Sequence, residues 1–267
     1  MNHWKDKVVV ITGGSSGLGA ALARQFATAG ARVVCLARGQ EQLQATVEEL
    51  TATGDLDVQS VVADVTDDQS VSSAVASVLA SHGQIDVWIN NVGKSLRIAL
   101  ADATVANFED LMQINFYSAV RCTRAVIDEL ERSGGSLINI GSLASKTGWP
   151  FVSPYSASKH ALAAYHHQLR LEGPAAVHFL LVCPGPIRRA DSETRYAEQA
   201  AGLPDGVSKP GAGAKVKGID PDELAGRIRI ACEKRKLELV MPWKARIAFA
   251  LSQLSPWLGD KLLKKFN

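Results

Sequence analysis

Tyr155 and Lys159 stand four residues apart in Tyr155-Ser156-Ala157-Ser158-Lys159. If this stretch is helical, positions i and i+4 share a face, so the phenol and the ammonium can be neighbours. A free phenol titrates near about 10 and is almost fully protonated at neutral pH. A neighbouring ammonium favours the phenolate and lowers that value, toward the range where general acid–base catalysis works best. Thirteen residues before Tyr155, Ser142 follows an apolar run in Ile140-Gly141-Ser142. Its hydroxyl can hydrogen-bond the oxygen that the phenol protonates. The chemistry such a trio suits is proton transfer at a carbonyl or alcohol oxygen. A Tyr–Lys pair at this spacing is by itself an ordinary surface feature, so its weight depends on the residues around it.

A second set lies near the N-terminus. Thr12-Gly13-Gly14-Ser15-Ser16-Gly17-Leu18-Gly19 follows an apolar run and precedes a helical pattern. Glycines there let the chain turn sharply and let the backbone approach a pyrophosphate. Free N–H groups at the helix start then face the anion. The spacing is G-x-x-x-G-x-G, not the G-x-G-x-x-G of the common dinucleotide fingerprint. Gly13, Ser15, Ser16, Gly17, Leu18 and Gly19 are the candidate phosphate contacts. Nineteen residues past Gly19 stands Arg38, in Leu36-Ala37-Arg38-Gly39, with no acid beside it. An acid near that place holds the ribose 2′-hydroxyl of NAD. An arginine instead grips the 2′-phosphate of NADP through charge-assisted, bidentate bonds. The expected cofactor is therefore NADP(H). Asp64, followed by Val65, is placed to accept the adenine amino group, with an N-cap or turn role as the plainer alternative. Asn91 and Gly93, in Asn90-Asn91-Val92-Gly93, fall where ligands bind beyond the carboxyl ends of strands. For Asn90 the alternative is a strand-to-strand tie.

These residues need a scaffold that brings them together. Apolar, β-branched runs at 8–11, 33–36, 58–63, 87–90, 137–140, 177–182 and 237–241 read as strands. Several are apolar on both faces, as parallel strands covered by helices must be. Helical patterns at 17–29, 40–53, 67–81, 104–131, 156–172 and 221–234 alternate with them. The alternation predicts right-handed βαβ units and an α/β, doubly wound parallel sheet in one domain spanning 1–267. The long irregular stretch 184–218 reads as a substrate loop over a pocket. The tail, 243–267, reads as two short amphipathic helices, with Ser255 as N-cap and Pro256 at the first helical position. Its apolar stripe is Ile247, Leu251, Leu254, Leu258 and Leu262, flanked by Lys244, Arg246, Lys261, Lys264 and Lys265.

Composition fits that scaffold. The chain has 267 residues, 46% hydrophobic, and a net charge of +2. A chain of this length buries enough core to need no staple. A mixed, near-neutral charge gives no reason to expect nucleic acid as partner. The four cysteines, Cys35, Cys122, Cys183 and Cys232, have no CxxC spacing, so neither a zinc site nor a disulfide framework is expected. They read as core residues in a reducing, cytoplasmic setting. The polar stretch 1–7 has neither signal- nor transit-peptide character. His166-His167 has no partners at metal spacing, so no metal is expected.

In combination, the glycine cradle, Asn90-Asn91, Ser142 and Tyr155-x-x-x-Lys159 resemble the short-chain dehydrogenase/reductase family. The resemblance runs from Lys7 to about Met241. It implies a Rossmann-type sheet of order 3-2-1-4-5-6-7. It also implies a catalytic tetrad in which Asn115, in Gln113-Ile114-Asn115-Phe116, holds a water relay to Lys159, and Lys159 reaches the nicotinamide ribose. Spacing alone would make Asn115 an ordinary polar helix residue. Pro184-Gly185-Pro186-Ile187 resembles the family segment that closes over the nicotinamide, with the Ile187 backbone near its carboxamide. The helices at 104–131 and 156–172 are the family's usual dimer surface, which implies a homodimer or homotetramer, with His166 and His167 at or near it. Three departures stand out: Val92 for alanine, Arg189 for threonine, and the tail. Arg188 or Arg189 can pair with a phosphate instead of the lost hydroxyl contact.

The expectation that follows is an NADP(H)-dependent oxidoreductase interconverting a carbonyl and a secondary alcohol on a small or lipid-like apolar substrate. One rival is a 3-oxoacyl-type reductase, which would need Arg97, Arg121 and Arg124 as a docking patch for an acyl carrier. Another is an NADP(H)-binding redox sensor with little turnover. The tail is expected to pack over the pocket or a partner subunit, with peripheral membrane contact as the alternative.

Overall fold

The computed structural model describes residues 3–52, 54, 56–189, 196–213 and 217–266, the last five by backbone only. Within the expected substrate loop, residues 190–195 and 214–216 lie outside the described residues. So do position 53 of the second helix and the side chains of Leu262, Lys264 and Lys265.

Seven parallel strands form one sheet: β1 (Val8–Thr12), β2 (Arg32–Ala37), β3 (Val58–Val62), β4 (Val87–Asn90), β5 (Ser136–Ile140), β6 (His178–Pro184) and β7 (Glu238–Met241). Their order is β3-β2-β1-β4-β5-β6-β7, as the resemblance implied. Successive strand side chains point to opposite faces, and the core divides accordingly. Val9, Ile11, Ile138 and Val182 face one apolar cluster, filled from above by Leu22, Phe26, Leu224 and Ile228. Val8, Val10, Trp88 and Leu137 face the other, filled by Val71, Val75, Val126 and Leu130. The helices supplying the first cluster include α1 (Gly17–Thr28), α2 (Gln40–Ala52) and, later in the chain, α7 (Pro221–Glu233). Those supplying the second are α3 (Asp68–His82) and α5 (Ser118–Ser133). β1, β4, β5 and β6 are buried on both faces, which is why they read as unbroken apolar runs.

The stretch expected as one helix at 104–131 is interrupted. Thr104 caps α4 (Val105–Met112) in a reciprocal box with Asn107. A π-helical turn, Gln113–Tyr117, then joins α4 to α5. Such turns carry one residue more than α-helical geometry allows and often sit at functional sites. A twenty-residue helix, α6 (Ser153–Glu172), follows β5. Its Pro154 sits in the first turn, where a missing N–H costs nothing.

The tail forms two helices, α8 (Ala245–Leu254) and α9 (Pro256–Phe266). Ser255 Oγ accepts from the Leu258 N–H at 3.3 Å, the expected cap. Ala245 and Phe249 pack on a small cluster of Leu143, Leu181, Cys183 and Val240 beside the end of β6. Trp243, Ile247, Leu254 and Trp257 stay 55–83% exposed. Among the described residues, no helix is long and apolar enough to cross a membrane. All four cysteines are free and buried.

Candidate active site

The sheet's strand order reverses between β1 and β4, and ligands bind in the crevice at such a point. The candidate residues gather there. A cleft of about 410 Å³ opens at the carboxyl ends of β1, β4, β5 and β6. The turn after β1 lines its near end with Gly13, Ser15, Ser16, Leu18 and Gly19. Gly17, with φ +53°, makes the left-handed step into α1. A methyl group on Gly19 would collide with the Gly13 carbonyl, so only glycine closes this turn. Ser16 caps α1 by backbone position alone, with no side-chain bond, so its hydroxyl does not occupy the first-turn amides. That arrangement fits an anion at the helix start.

Asn91 braces the turn. Its Nδ2 donates to the Thr12 and Gly13 carbonyls at 2.9 and 3.2 Å, and its backbone N–H donates to Thr12 Oγ1 at 2.9 Å. Asn90 plays the structural part: Nδ2 donates to Asn139 Oδ1 at 2.8 Å while Oδ1 accepts from Trp88 Nε1 at 2.8 Å. Asn139 continues the chain to His166 Nδ1 at 3.1 Å. His166 is therefore a buried core residue, 1% exposed, and not an interface histidine. Burial first, then surrounding cations, push its pKa down to about 3, so it stays neutral. Among the described residues no cluster of His, Cys, Asp or Glu could hold a metal ion.

Arg38, Asp64 and Val65 lie on the same edge of the sheet, after β2 and β3, outside the cleft lining. Arg38 is 72% exposed and reaches Asp64 at 3.7 Å. Asp64 takes the turn role, accepting from the Thr66 N–H and hydroxyl at 2.8 and 2.7 Å. Burial works against its carboxylate, but those two bonds and then Arg38 outweigh it and hold its pKa below the usual value. Val65 is a core residue, 6% exposed.

At the far end, Ser142 follows β5 and lines the cleft with Tyr155 and Lys159 of α6. Ser142 Oγ accepts from the Ala144 N–H at 3.1 Å, and its side chain also hydrogen-bonds the Tyr155 phenol. Lys159 is 3% exposed. It donates to the Ile140 carbonyl at 2.8 Å, and Nζ lies 5.9 Å from the centre of the Tyr155 ring. The tyrosine's titration runs opposite to the sequence expectation. Burial pushes the phenol up, and the Ser142 bond and the nearby Arg97 only partly offset it. Burial also brings Lys159 down to about 8. Helix spacing correctly places the two side chains together, but it carries no information about desolvation, which dominates here.

Asn115 sits in the π turn, 1% exposed. Oδ1 accepts from the Lys94 N–H at 2.8 Å, and Nδ2 donates to the Lys94 carbonyl and to Ser158 Oγ, both at 2.9 Å. Ser158 Oγ in turn donates to the Tyr155 carbonyl at 2.8 Å. A methyl group on Gly93 would lie 3.3 Å from Asn115 Oδ1 and 3.4 Å from Lys159 Nζ. Asn115 and Lys159 thus converge on Gly93 from two helices. Ser158 was missed in the sequence, although it lies inside the Tyr–Lys segment.

A glycine turn thus faces Ser142, Tyr155 and the buried Lys159 across the crevice where the strand order reverses. The model of the short chain dehydrogenases matches residues 7–200. The chain belongs to that family. It is 36% identical over 242 residues to dehydrogenase/reductase SDR family member 7B of Danio rerio, covering 87% of this chain and 76% of the relative. It is also similar to an alcohol dehydrogenase from Thermococcus sibiricus solved with 5-hydroxy-NADP. There the TM-score is 0.75 and the identity 28%, over 88% of this chain and 95% of that one. A short chain dehydrogenase/reductase from Burkholderia phymatum, solved with NAD, shares the fold at a TM-score of 0.82 and 22% identity, over 97% and 96% of the two chains.

In this short chain dehydrogenase, Pro184, Gly185, Pro186 and Ile187 line the cleft beside Ser142, and Ile187 pairs with Ile219 across a parallel bridge. The two arginines after them part ways. Arg188 ties to Asp220 at 2.7 Å. Arg189 lies over the glycine turn, with Nη1 2.9 Å from where a Cβ on Gly17 would be. The apolar wall of the cleft is Trp149, Val152 and Ala212, packed with Val207 and Tyr155.

Proposed function

We propose that this short chain dehydrogenase is an NADP(H)-dependent carbonyl reductase, or the reverse alcohol dehydrogenase, acting on small or lipid-like substrates. The observation that carries the reading is the convergence of Ser142, Tyr155 and Lys159 in one cleft with the glycine turn. When bound, the nicotinamide supplies the hydride. Gly13, Ser15, Ser16 and Gly19, with Arg189 above Gly17, suit the pyrophosphate. Pro184, Gly185 and Ile187 stand where the nicotinamide end would rest. Ser142 orients the carbonyl oxygen, and Tyr155 gives it a proton. Burial raises the phenol pKa, so Tyr155 carries that proton at neutral pH. Lys159, near neutrality in its own titration, can then stabilise the phenolate and pass on a proton. Asn115 holds Lys94 and Ser158 in place beside it. An NADPH-oxidation screen over ketones, aldehydes, quinones, steroids and acyl thioesters tests the reading. No oxidation above background with any class would leave the sensor reading in its place.

The preference for NADP(H) rests on Arg38. It is exposed and only loosely held by Asp64, so its donors can turn to a 2′-phosphate. NADPH is expected to bind more tightly than NADH, and Arg38→Ala to weaken NADPH about 10- to 100-fold while leaving NADH unchanged. Fluorescence titration measures both. Equal affinities in the unaltered protein would end the assignment.

The 3-oxoacyl reading loses its docking patch. Arg97 is buried, and Arg121 pairs with Asp68 at 3.3 Å, so the three arginines do not form one surface. Tyr117 and Leu171 are exposed near the ends of α5 and α6, which supports a homodimer or homotetramer through these helices. The exposed Trp243, Ile247, Leu254 and Trp257, beside Lys244, Arg246 and Lys261, support contact with an anionic membrane surface. The protein is expected to co-sediment with vesicles containing phosphatidylserine, and to lose that on removal of residues 256–267. Absence of co-sedimentation by the intact chain rules the contact out.

A further inference from the structure

Arg97 is a buried charged group of the cleft that the reaction described above does not use. It follows β4 and lines the cleft with Tyr155, Tyr196 and Ala212. It is 5% exposed. Its guanidinium donates from Nε to the Val207 carbonyl at 3.0 Å and from Nη1 to Ser95 Oγ at 2.6 Å. Its carbon lies 4.0 Å from the centre of the Tyr196 ring. No carboxylate pairs with it among the described residues. A guanidinium has five N–H donors, and its contacts among the described residues use two.

The rest of the lining sharpens the imbalance. Among the described residues its charged groups are Lys94, Arg97, Lys159 and Arg189, and none of these is acidic. Lys94 has a partner outside, Asp110 at 2.6 Å. Lys159 is held by the Ile140 carbonyl. Arg189 stands over the glycine turn and has contacts of its own. Arg97 lies at the other end, against the apolar wall of Val207 and Ala212, within electrostatic reach of Tyr155. A cation buried without a counter-ion is costly. Dipoles and an aromatic face offset part of that cost. A fork of free N–H groups beside the proton donor is suited to a planar or tetrahedral oxyanion.

We propose that Arg97 is the substrate-recognition residue of this cleft, and that the carbonyl substrate carries an oxyanion, a carboxylate or a phosphate monoester, on its apolar body. This rests on the carbonyl-reductase reading and deepens it. The substrate's anion docks on the free edge of the guanidinium, and its carbonyl lies between Ser142 and Tyr155.

The test uses the full chain with NADPH and methyl ketones of matched length ending in a carboxylate, a phosphate monoester or a neutral methyl ester. At least one anionic series is expected to exceed the neutral one in kcat/KM by about 10- to 100-fold, mainly through KM. Arg97→Met is expected to bring that ratio close to one, and Arg97→Lys to keep part of it. The ratio is read within each variant, so a general loss of activity or stability does not imitate the effect. Neutral ketones reduced as well as both anionic series would overturn the role of Arg97 and leave the reductase reading standing. If no ketone is reduced, that reading fails by itself. Calorimetric titration with the unreactive alkanoate then decides on Arg97: binding that Arg97→Met abolishes supports the anion site, and no binding overturns it.

Discussion

Tyr155→Phe yields a protein that folds and holds NADPH but has lost carbonyl reduction by at least about 10²- to 10⁴-fold. The substitution removes one oxygen. The ring keeps its place beside Trp149 and Val152, and the glycine turn is untouched. What disappears is the hydroxyl that Ser142 bonds, and with it the proton for the carbonyl oxygen. Steady-state NADPH oxidation and NADPH fluorescence titration, run on the same preparation, separate the two properties. Turnover within ten-fold of the original enzyme would remove Tyr155 from the role of acid. A sensor with little turnover would show no difference between the two proteins, so the experiment also decides between the classes.

Lys159→Met is expected to lose most turnover and yet to melt at a higher temperature at pH 7. Burial lowers the Lys159 pKa from its ordinary 10.5 to about 8 in the fold. The folded state thus binds the proton less tightly than the unfolded chain does. Below pH 8 both states are protonated, and the folded state carries the full cost of the buried ammonium. Between 8 and 10.5 the folded protein sheds its proton first, and the cost fades as pH rises. The cost at pH 7 is on the order of 3 kcal/mol. Leaving the Ile140 carbonyl without its donor returns about 1 kcal/mol. The stability advantage of Lys159→Met should therefore be largest at pH 7 and shrink toward pH 10. Melting curves across that range check it. A variant that melts below the parent at pH 7 would show that the ammonium is not costly to bury.

Much of this was legible in the residues. The four central strands are covered on both faces, so each is an uninterrupted apolar run with a turn after it. Ser142, Asn91 and the glycine turn fall just past the ends of those strands, so their place at the carboxyl edge of the sheet is legible in the sequence. The π turn was not legible, because residue types do not distinguish a single i→i+5 turn from the α-helix around it. The burial of Arg97 was not legible, because it depends on residues about a hundred positions later, Tyr196 and Val207, folding over it. The shift of Tyr155 was misjudged for the same kind of reason. A partner four residues away is visible in sequence, whereas the loss of water is a property of the whole cleft. The helices of the tail were readable from their stripe, but which apolar residues remain exposed depends on how α8 lies against β7.

The π turn at Gln113–Tyr117 fixes the phase between two helices. α4, the π turn and α5 follow one another without a break, and an extra residue between the helices shifts the phase of one side by about 100° relative to a regular helix. That rotation turns Asn115 toward Lys94 and Ser158 while Cys122, Val126 and Leu130 stay against the sheet. Shortening the chain by one residue there would restore a regular helix with better hydrogen bonds, and would carry the carboxamide away from Gly93. The protein keeps the less regular backbone, and the place of Asn115 beside Gly93 depends on a single surplus residue.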